Sequence, residues 1–258
     1  MMALSFFILG VKQLSSIDIE ICVDSRDPDY VARSVERTVS AGARRIELCA
    51  EMAEDGLTPP AEHIIAARQA MGSVPGLICM IRPRGGDFVC SEDEINLMAS
   101  QIRMASEAGA NGVVLGILKA DGSIDQQNLE RLIGVAKECG LKVAFHRAFD
   151  ATPDFLESLE TLIETGVDRI LTCGTAWGSS GTAMTGLSVL EKLVRRAGKQ
   201  IEINVGGGVS PGNALVILSG LPVELGVVSL HAHSNVMMGG EVSRELVRAL
   251  CQAVDARL

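Results

Sequence analysis

Two arginines flank a proline directly after an apolar run, in the stretch Met80-Ile-Arg-Pro-Arg-Gly-Gly-Asp87. Pro83 fixes its own φ angle and pushes Arg82 into an extended conformation, so both guanidinium groups lie on a stiff segment. Paired guanidinium groups can hold a carboxylate or a phosphate by several hydrogen bonds. We therefore predict that Arg82, Arg84 and Asp87 contribute to a site for a small anionic molecule. The alternative is a surface cluster of salt bridges.

A Glu-x-Cys pair occurs twice, as Glu20-Ile-Cys22 and as Glu47-Leu-Cys49. Side chains alternate along a strand, so each glutamate lies on the same side as its cysteine. If the two segments are neighbouring strands about 4.8 Å apart, their two sulfurs can share one metal ion. The alternative is two buried thiols, because cysteine is often buried and adjacent barrel strands are staggered in height. Cys22 and Cys49 are the predicted metal ligands.

Titratable side chains follow another apolar run, in the segment Phe145-His-Arg-Ala-Phe-Asp150. An unperturbed histidine titrates at about pH 6.5 and can exchange a proton at cellular pH, while Arg147 can hold an anionic substrate. The candidates for general acid–base catalysis are Glu20, Glu47, His146 and Asp150. A structural network of ion pairs is the alternative.

Two further segments supply candidate ligand-binding residues. Asn204 is followed by Gly206, Gly207 and Gly208 and then by a helix start, and barrels often bind phosphate at a glycine loop after the seventh strand. His231 ends the eighth apolar run and is also predicted to bind ligand. The loop 174–186 carries the only tryptophan and is interpreted either as a mobile lid or as a flexible surface loop.

These candidates are positioned by a strand–loop–helix unit that repeats along the chain. The runs predicted as strands are Ile17–Val23, Arg45–Cys49, Leu77–Ile81, Gly112–Ile117, Lys142–His146, Arg169–Thr172, Gln200–Val205 and Gly226–His231. Glycines in the left-handed conformation are predicted to end the helices at Gly42, Gly72, Gly109, Gly140, Gly166, Gly198 and Gly220. Capping residues predict helix starts at Asp27-Pro28, Thr58-Pro59, Ser91, Thr152-Pro153 and Ser210-Pro211.

Eight apolar strands that alternate with helices predict an α/β fold, a single-domain (β/α)8 TIM-like barrel. With 47% hydrophobic but only 3% aromatic residues, the 258-residue chain fits one aliphatic core. We place the barrel domain at residues 17–258 and an apolar N-terminal extension at residues 1–16. Its apolar run, Met1–Val11, is too short to span a bilayer, and no positive charge precedes it, whereas a secretory signal would have one there.

Charge and cysteine content restrict the partners and the compartment. A net charge of −9 argues against nucleic acid or an anionic membrane surface as the main partner. Seven cysteines, an odd number with no close CxxC pair, indicate reduced thiols and therefore a cytoplasmic location.

Five segments together resemble the CutC family of copper homeostasis proteins. They are Ile46-Glu-Leu-Cys49, Gly56-Leu-Thr-Pro59, Ile81-Arg-Pro-Arg-Gly-Gly-Asp-Phe88, Asp121-Gly-Ser-Ile-Asp125 and Phe145-His-Arg-Ala-Phe-Asp150. The resemblance runs from Ile17 to the eighth strand and implies a TIM-like barrel, as the repeat also predicts. His231 matches the histidine of the family, whereas the residues around it depart from the family pattern, and residues 1–16 have no counterpart.

The resemblance further implies a cytoplasmic, often oligomeric protein with Cu(I) as its ligand. The soft thiolates of Cys22 and Cys49 suit Cu(I), although the residues alone do not single out copper. The leading prediction is a copper homeostasis protein, a Cu(I)-binding barrel that forms a homo-oligomer, either a dimer or a tetramer. The alternative is an enzyme that acts on a small anionic compound, such as a phosphorylated metabolite, at the C-terminal face of the barrel.

Overall fold

A computed structural model describes residues 17–256, whose main sheet is a closed parallel barrel. The barrel strands are β1 (Asp18–Asp24), β2 (Arg45–Cys49), β3 (Leu77–Met80), β4 (Gly112–Leu115), β5 (Lys142–Phe145), β6 (Arg169–Thr172), β7 (Glu202–Val205) and β8 (Val227–Ala232). Strand β8 closes the ring against β1, where Glu20 pairs with His231. The predicted (β/α)8 barrel is confirmed. The extension predicted at residues 1–16 lies outside the described residues.

Helices alternate with the strands, as the repeat predicts. They are α1 (Pro28–Ser40), α2 (Ala61–Met71), α3 (Glu92–Glu107), α4 (Gln126–Glu138), α5 (Phe155–Thr165), α6 (Leu187–Ala197), α7 (Ala214–Ser219) and α8 (Arg244–Asp255). A two-stranded hairpin of β9 (Met237–Met238) and β10 (Glu241–Val242) precedes α8. Within residues 17–256, no helix has both the length and the apolar character needed to cross a membrane.

Hydrophobic periodicity explains why these segments form a barrel. All five residues of β2 are buried, as expected of a strand that has the barrel interior on one side and helices on the other. Helix α1 buries Val31 and Val35, which lie four residues apart on one face. Full burial of such an aliphatic side chain contributes about 1.5–3 kcal/mol, and the main core consists largely of these residues.

Helix starts were predicted with mixed success. Asp27 caps α1 by accepting a hydrogen bond from Tyr30 N at 2.8 Å, and Ser91 forms the predicted capping box of α3 with Glu94. The start predicted at Thr58 is wrong by two residues, because its hydroxyl is bonded to the carbonyl of Arg82.

Two other helix starts are also misplaced. Asp154 caps α5 in place of Thr152, whose hydroxyl donates to Phe149 O at 2.8 Å. Helix α7 begins at Ala214, three residues beyond the predicted proline. Of the seven predicted left-handed glycines, six have positive φ angles, whereas Gly220 is right-handed at φ −83°.

The lower part of the barrel interior is polar rather than apolar. Strand β2 points Arg45, Glu47 and Cys49 inward at every second position, with Arg45 at the N-terminal end. Arg45 lies 2.7 Å from Glu202 and 3.4 Å from Glu20, and Arg169 donates to Glu20 at 3.1 Å. This ion-paired layer, which we call the charged floor, is formed by Glu20, Arg45, Arg169 and Glu202.

Candidate functional site

A cavity of about 280 Å³ lies at the C-terminal end of the barrel, above the charged floor. This is the end at which barrel enzymes carry their active sites. One part of its lining contains the sulfur side chains Cys22, Cys49, Met52 and Met80. Another part contains Arg82, His146 and Arg147, and we call these three residues the donor wall. The rings of Phe88 and Trp177 also line the cavity. The cavity therefore combines soft ligands with nitrogen donors.

The predicted metal ligands Cys22 and Cys49, which we call the thiol pair, lie together in this cavity. Their Sγ atoms are 3.9 Å apart, and Cys49 Sγ is 3.5 Å from Glu47 Oε2. The strands are staggered as expected, since Cys22 pairs in register with Glu47 and Cys49 with Asp24. The side chains nevertheless meet diagonally across the two strands. Cys22, Cys49 and Glu47 form a buried group whose ligand atoms lie within 4.8 Å of one another.

The two thiols do not ionise equally. The hydrogen bond between the two thiols lowers the pKa of Cys22 well below its usual value, although burial opposes this effect. The same interaction and burial raise the pKa of Cys49. The two thiols therefore differ in acidity, and a metal bound to both sulfurs must displace their protons.

His231 connects the thiol pair to the charged floor. Its Nδ1 is 2.9 Å from Glu20 Oε1, and its Nε2 is 3.8 Å from Glu47 Oε2. Burial opposes protonation, but the charge of Glu47 and hydrogen bonds to Cys22 and Glu20 raise the pKa of His231 well above its usual value. His231 is therefore a buried cation held between two carboxyl groups.

The two glutamates of the repeated motif have opposite properties. Burial alone would raise the pKa of Glu20, but the hydrogen bond to His231 and nearby arginine charges lower it to about 2. Burial raises the pKa of Glu47 to about 8, against the opposing charge of His231. Glu47 lines the cavity, whereas Glu20 lies beneath it and accepts a hydrogen bond from Asn204 at 2.6 Å. Of these two glutamates, Glu47 has the pKa closer to neutral pH and lies on the surface of the cavity.

The arginines of the Arg-Pro-Arg stretch point to different places. Arg82 is 5% exposed and donates to main-chain carbonyls of Glu54 at 2.7 Å and Gly86 at 2.9 Å. Its Nε has no hydrogen-bond partner among the described residues, and its guanidinium lies 5.1 Å from the Phe88 ring centre. The side chain forms part of the cavity lining.

Arg84 and Asp87 lie outside this cavity, at the protein surface. Arg84 donates to Asp87 Oδ1 at 2.9 Å and to Glu94 Oε1 at 2.6 Å, and its remaining donors reach nearby carbonyls. The side chain of Arg84 is 41% exposed and that of Asp87 is 69% exposed. For these two residues the geometry resembles the surface salt-bridge cluster that was the alternative interpretation.

His146 lines the cavity as a neutral ring. Its Nδ1 accepts a hydrogen bond from Ala148 N at 3.1 Å, so the proton of the neutral ring is on Nε2. Nε2 has no partner among the described residues. Burial and the nearby charge of Arg82 lower the pKa of His146 to about 3. The expected proton exchange at cellular pH depends on an ordinary histidine pKa, which this environment does not provide.

Arg147 reaches the cavity, whereas Asp150 is buried behind it. Asp150 accepts hydrogen bonds from Arg147 Nε at 2.7 Å, from the hydroxyl of Thr172 and from Cys173 N at 3.3 Å. These bonds fix Arg147 in position. The guanidinium of Arg147 then lies 5.1 Å from the ring centre of Trp177.

The glycine loop after β7 does not line the cavity. Gly207 and Gly208 have φ angles of 83° and 84°, and Gly208 O accepts a hydrogen bond from Asn213 Nδ2 at 2.9 Å. A side chain at Gly207 would lie 2.5 Å from Cys173 Cβ, and one at Gly206 would lie 2.8 Å from Leu171 Cδ1. Close packing therefore accounts for two of the three glycines.

Several residues of the cavity lining were not predicted from the sequence. Met80 packs with the thiol pair in a small core cluster, and Met52 packs against that cluster from the loop after β2. Phe88 contacts both His146 and Trp177, with ring centres 5.3 Å apart in each case. Met80 could have been predicted, because it lies two residues after Ile78 in β3 and therefore points to the same side of the strand. No comparable signal marks the loop residues Met52 and Phe88.

Comparisons with known proteins agree on one family. The model of the CutC family matches residues 17–236. The family protein CutC of Vibrio atlanticus is 41% identical over 202 residues, which cover 78% of this chain and 77% of that protein. The family protein CutC of Sinorhizobium medicae is 41% identical over 210 residues, covering 81% of this chain and 80% of that protein. The predicted resemblance is thus confirmed.

Solved structures give the same result. A CutC from Streptococcus agalactiae, whose given name proposes a role in copper homeostasis, superimposes with a TM-score of 0.75 at 32% identity. The alignment covers 86% of this chain and 100% of that chain. Thiamine phosphate pyrophosphorylase from Pyrococcus furiosus, at 19% identity and a TM-score of 0.62 over 94% of this chain and 97% of that one, shares the fold alone.

Proposed function

Because the chain belongs to the CutC family, we propose that it is a copper homeostasis protein that binds Cu(I) through Cys22 and Cys49. One observation carries the proposal: the two sulfurs are 3.9 Å apart and line the same cavity. Soft thiolate and thioether ligands select Cu(I), and the cavity also exposes Met52 and Met80. A cytoplasmic location would keep these thiols reduced.

The spacing of the sulfurs fits a shared metal ion. Thiolate–metal bonds are about 2.3 Å long for a comparable d¹⁰ ion, so one ion can contact two sulfurs that are up to about 4.6 Å apart. The observed separation of 3.9 Å is below this limit. Neither sulfur needs a change of backbone conformation to reach such an ion.

Competition with a chromophoric Cu(I) chelator tests the proposal. The reduced protein is expected to retain about one Cu(I) per chain, whereas the Cys22→Ser/Cys49→Ser variant should lose it, because hydroxyls are poor ligands for a soft ion. Cys251→Ser is the matched control, since Cys251 lies on α8 outside the cavity lining. Equal copper retention by the double variant and the wild type would contradict the proposal.

A second candidate function is catalysis on a small anionic compound. It is favoured by Glu47, whose pKa of about 8 lies close to neutral pH and whose side chain shares the cavity with Arg147. A screen of phosphorylated and carboxylate metabolites for turnover tests this candidate. Glu47→Gln should abolish any turnover found, and full activity of that variant would remove Glu47 from the mechanism.

The family resemblance also supports a homo-oligomer. Sedimentation equilibrium of the reduced protein should then give the mass of a dimer or a tetramer. A mass of 27.3 kDa across the accessible concentration range would contradict this part of the proposal.

A further inference from the structure

The donor wall contains two buried donors that lack acceptors. Arg82 Nε and the Nε2 of His146 are both buried without a hydrogen-bond partner among the described residues. Because Ala148 N donates to Nδ1 of His146, the ring presents an N–H at Nε2 rather than a lone pair. A buried donor without an acceptor is destabilising, so such groups in native proteins need a ligand, water or ion to explain them.

The same wall has a charge that its immediate partners do not neutralise. Arg82 is 5% exposed, yet it forms no ion pair with any carboxylate in residues 17–256 and bonds only to main-chain carbonyls. The carboxylates of Glu54 and Asp55 influence it only from beyond ion-pair distance. Buried charges are normally paired, so Arg82 is an unusual feature of this interior.

Arg147 adds a second guanidinium beside an aromatic surface. Its Nε donates to Asp150 and its Nη2 donates to Cys173 Sγ at 3.0 Å, and the side chain, which is 31% exposed, forms part of the cavity lining. Trp177 and Phe88 pack edge to face in the same lining, with ring centres 5.3 Å apart and an interplanar angle of 71°. These rings provide apolar surface for the organic part of a ligand next to the donors.

The cavity is larger than a metal ion requires. Its volume of about 280 Å³ is close to the lower end of the roughly 300–1,000 Å³ that is typical of small-molecule sites. An ion held by the thiol pair would occupy a small part of this space. The remaining volume adjoins the donor wall.

We propose that the donor wall binds a small organic oxyanion, a carboxylate or a phosphate, whose oxygens accept hydrogen bonds from Arg82, His146 and Arg147. The ligand occupies the part of the cavity that the thiol pair leaves free. This subsite would serve the second candidate function, but it does not depend on copper binding or on turnover. Arg84, which the sequence predicts for the same anion site, is instead paired with Asp87 and Glu94 at the surface.

Thermal unfolding with three probes tests the subsite, with sodium chloride of equal ionic strength as the reference. The probes are inorganic phosphate, glycerol 3-phosphate and malonate. A probe present at about ten times its Kd should raise the melting temperature by about 3–6 °C. A response only to malonate identifies a carboxylate ligand, a response only to the phosphates identifies a phosphate ligand, and a response to both types supports the shared chemistry. No response to any probe would overturn the inference.

Variants locate the binding. Arg147→Gln and His146→Phe should weaken probe binding at least about tenfold in calorimetry, since each removes a donor from the wall. Arg84→Gln is the matched control and should bind as tightly as the wild type. Because Arg82 also supports the main chain of its loop, Arg82→Lys is used only after circular dichroism shows a folded barrel. Undiminished binding by both donor-wall variants, or loss of binding in Arg84→Gln, would contradict the assignment.

Two further measurements test whether the oxyanion binds independently of the thiol pair and whether it contacts His146. The Cys22→Ser/Cys49→Ser variant should keep its full response to the probes, so the subsite can hold even if copper binding fails. Loss of the response in that variant would place the ligand on the thiol pair and refute the inference. In ¹⁵N-histidine spectra, the Nε2 resonance of His146 should shift on addition of the probe, and an unchanged resonance would also refute it.

Discussion

Replacement of His146 tests whether this ring is buried in its neutral form. In the folded protein its pKa is lowered to about 3 from an ordinary value of 6.5. Between these two pKa values the unfolded chain binds a proton that the folded chain does not. Stability therefore rises with pH in this window, is fully present above pH 6.5 and is lost as the pH falls.

The size of the effect follows from the two pKa values. Linkage gives a loss of about 2 kcal/mol in the free energy of unfolding between pH 7.5 and pH 5.0 from His146 alone. His146→Gln has no titrating ring and should not suffer this loss. Urea unfolding of the wild type and the variant at both pH values gives the double difference directly. Other titrating groups cancel in that difference unless they are coupled to His146.

His146→Phe serves as the control, because it retains a ring beside Phe88 but cannot titrate. It should give the same double difference as the Gln variant. At pH 7.5, however, it should be less stable than the wild type by about 1–3 kcal/mol, because Ala148 N loses its acceptor. A double difference below about 0.5 kcal/mol in both variants would refute a neutral, desolvated His146.

Two further predictions concern the supports of the site. Asp150→Ala should destabilise the protein by about 1–3 kcal/mol in urea unfolding, because it leaves the buried donors of Thr172 and Cys173 without their acceptor. The exposed Asp87→Ala should leave the midpoint unchanged. Glu20→Gln should lower the pKa of His231 in an NMR titration, because it removes the carboxylate charge next to Nδ1. An unchanged pKa would mean that Glu20 does not hold His231 protonated.

The fold could be predicted from the sequence because local and global signals agree. Apolar runs with intervening helices and terminal glycines recur at nearly regular intervals, and every predicted strand overlaps an observed one. Two of the three misplaced helix starts occur where the capping residue has another partner. Thr58 reads as a helix start in sequence, but it binds the loop after β3, which comes from 24 residues away. Local propensity cannot anticipate such a contact.

The site could be predicted only in part, because its chemistry depends on distant partners. Spacing placed Cys22 and Cys49 together correctly, since alternation and strand pairing are sufficient for that. Spacing could not predict that Arg82 and Arg84 point in different directions. Those directions are set by hydrogen bonds to Glu54 and Gly86 for Arg82 and to Glu94 for Arg84. Arg82 is therefore a buried hydrogen-bond donor, whereas Arg84 forms ion pairs at the surface.

The repeated Glu-x-Cys motif shows how position in the barrel assigns different roles to identical residues. Glu20 meets Arg169 and His231, which lie 149 and 211 positions further along the chain, and is held as an anion. Glu47 has fewer cationic neighbours, and burial raises its pKa to about 8, although it lies only one strand away. The charged floor thus fixes His231 as a cation, and that cation favours ionisation of Cys22 above it. The repeated motif therefore supplies one carboxylate that pairs with His231 and one carboxyl group whose pKa is raised.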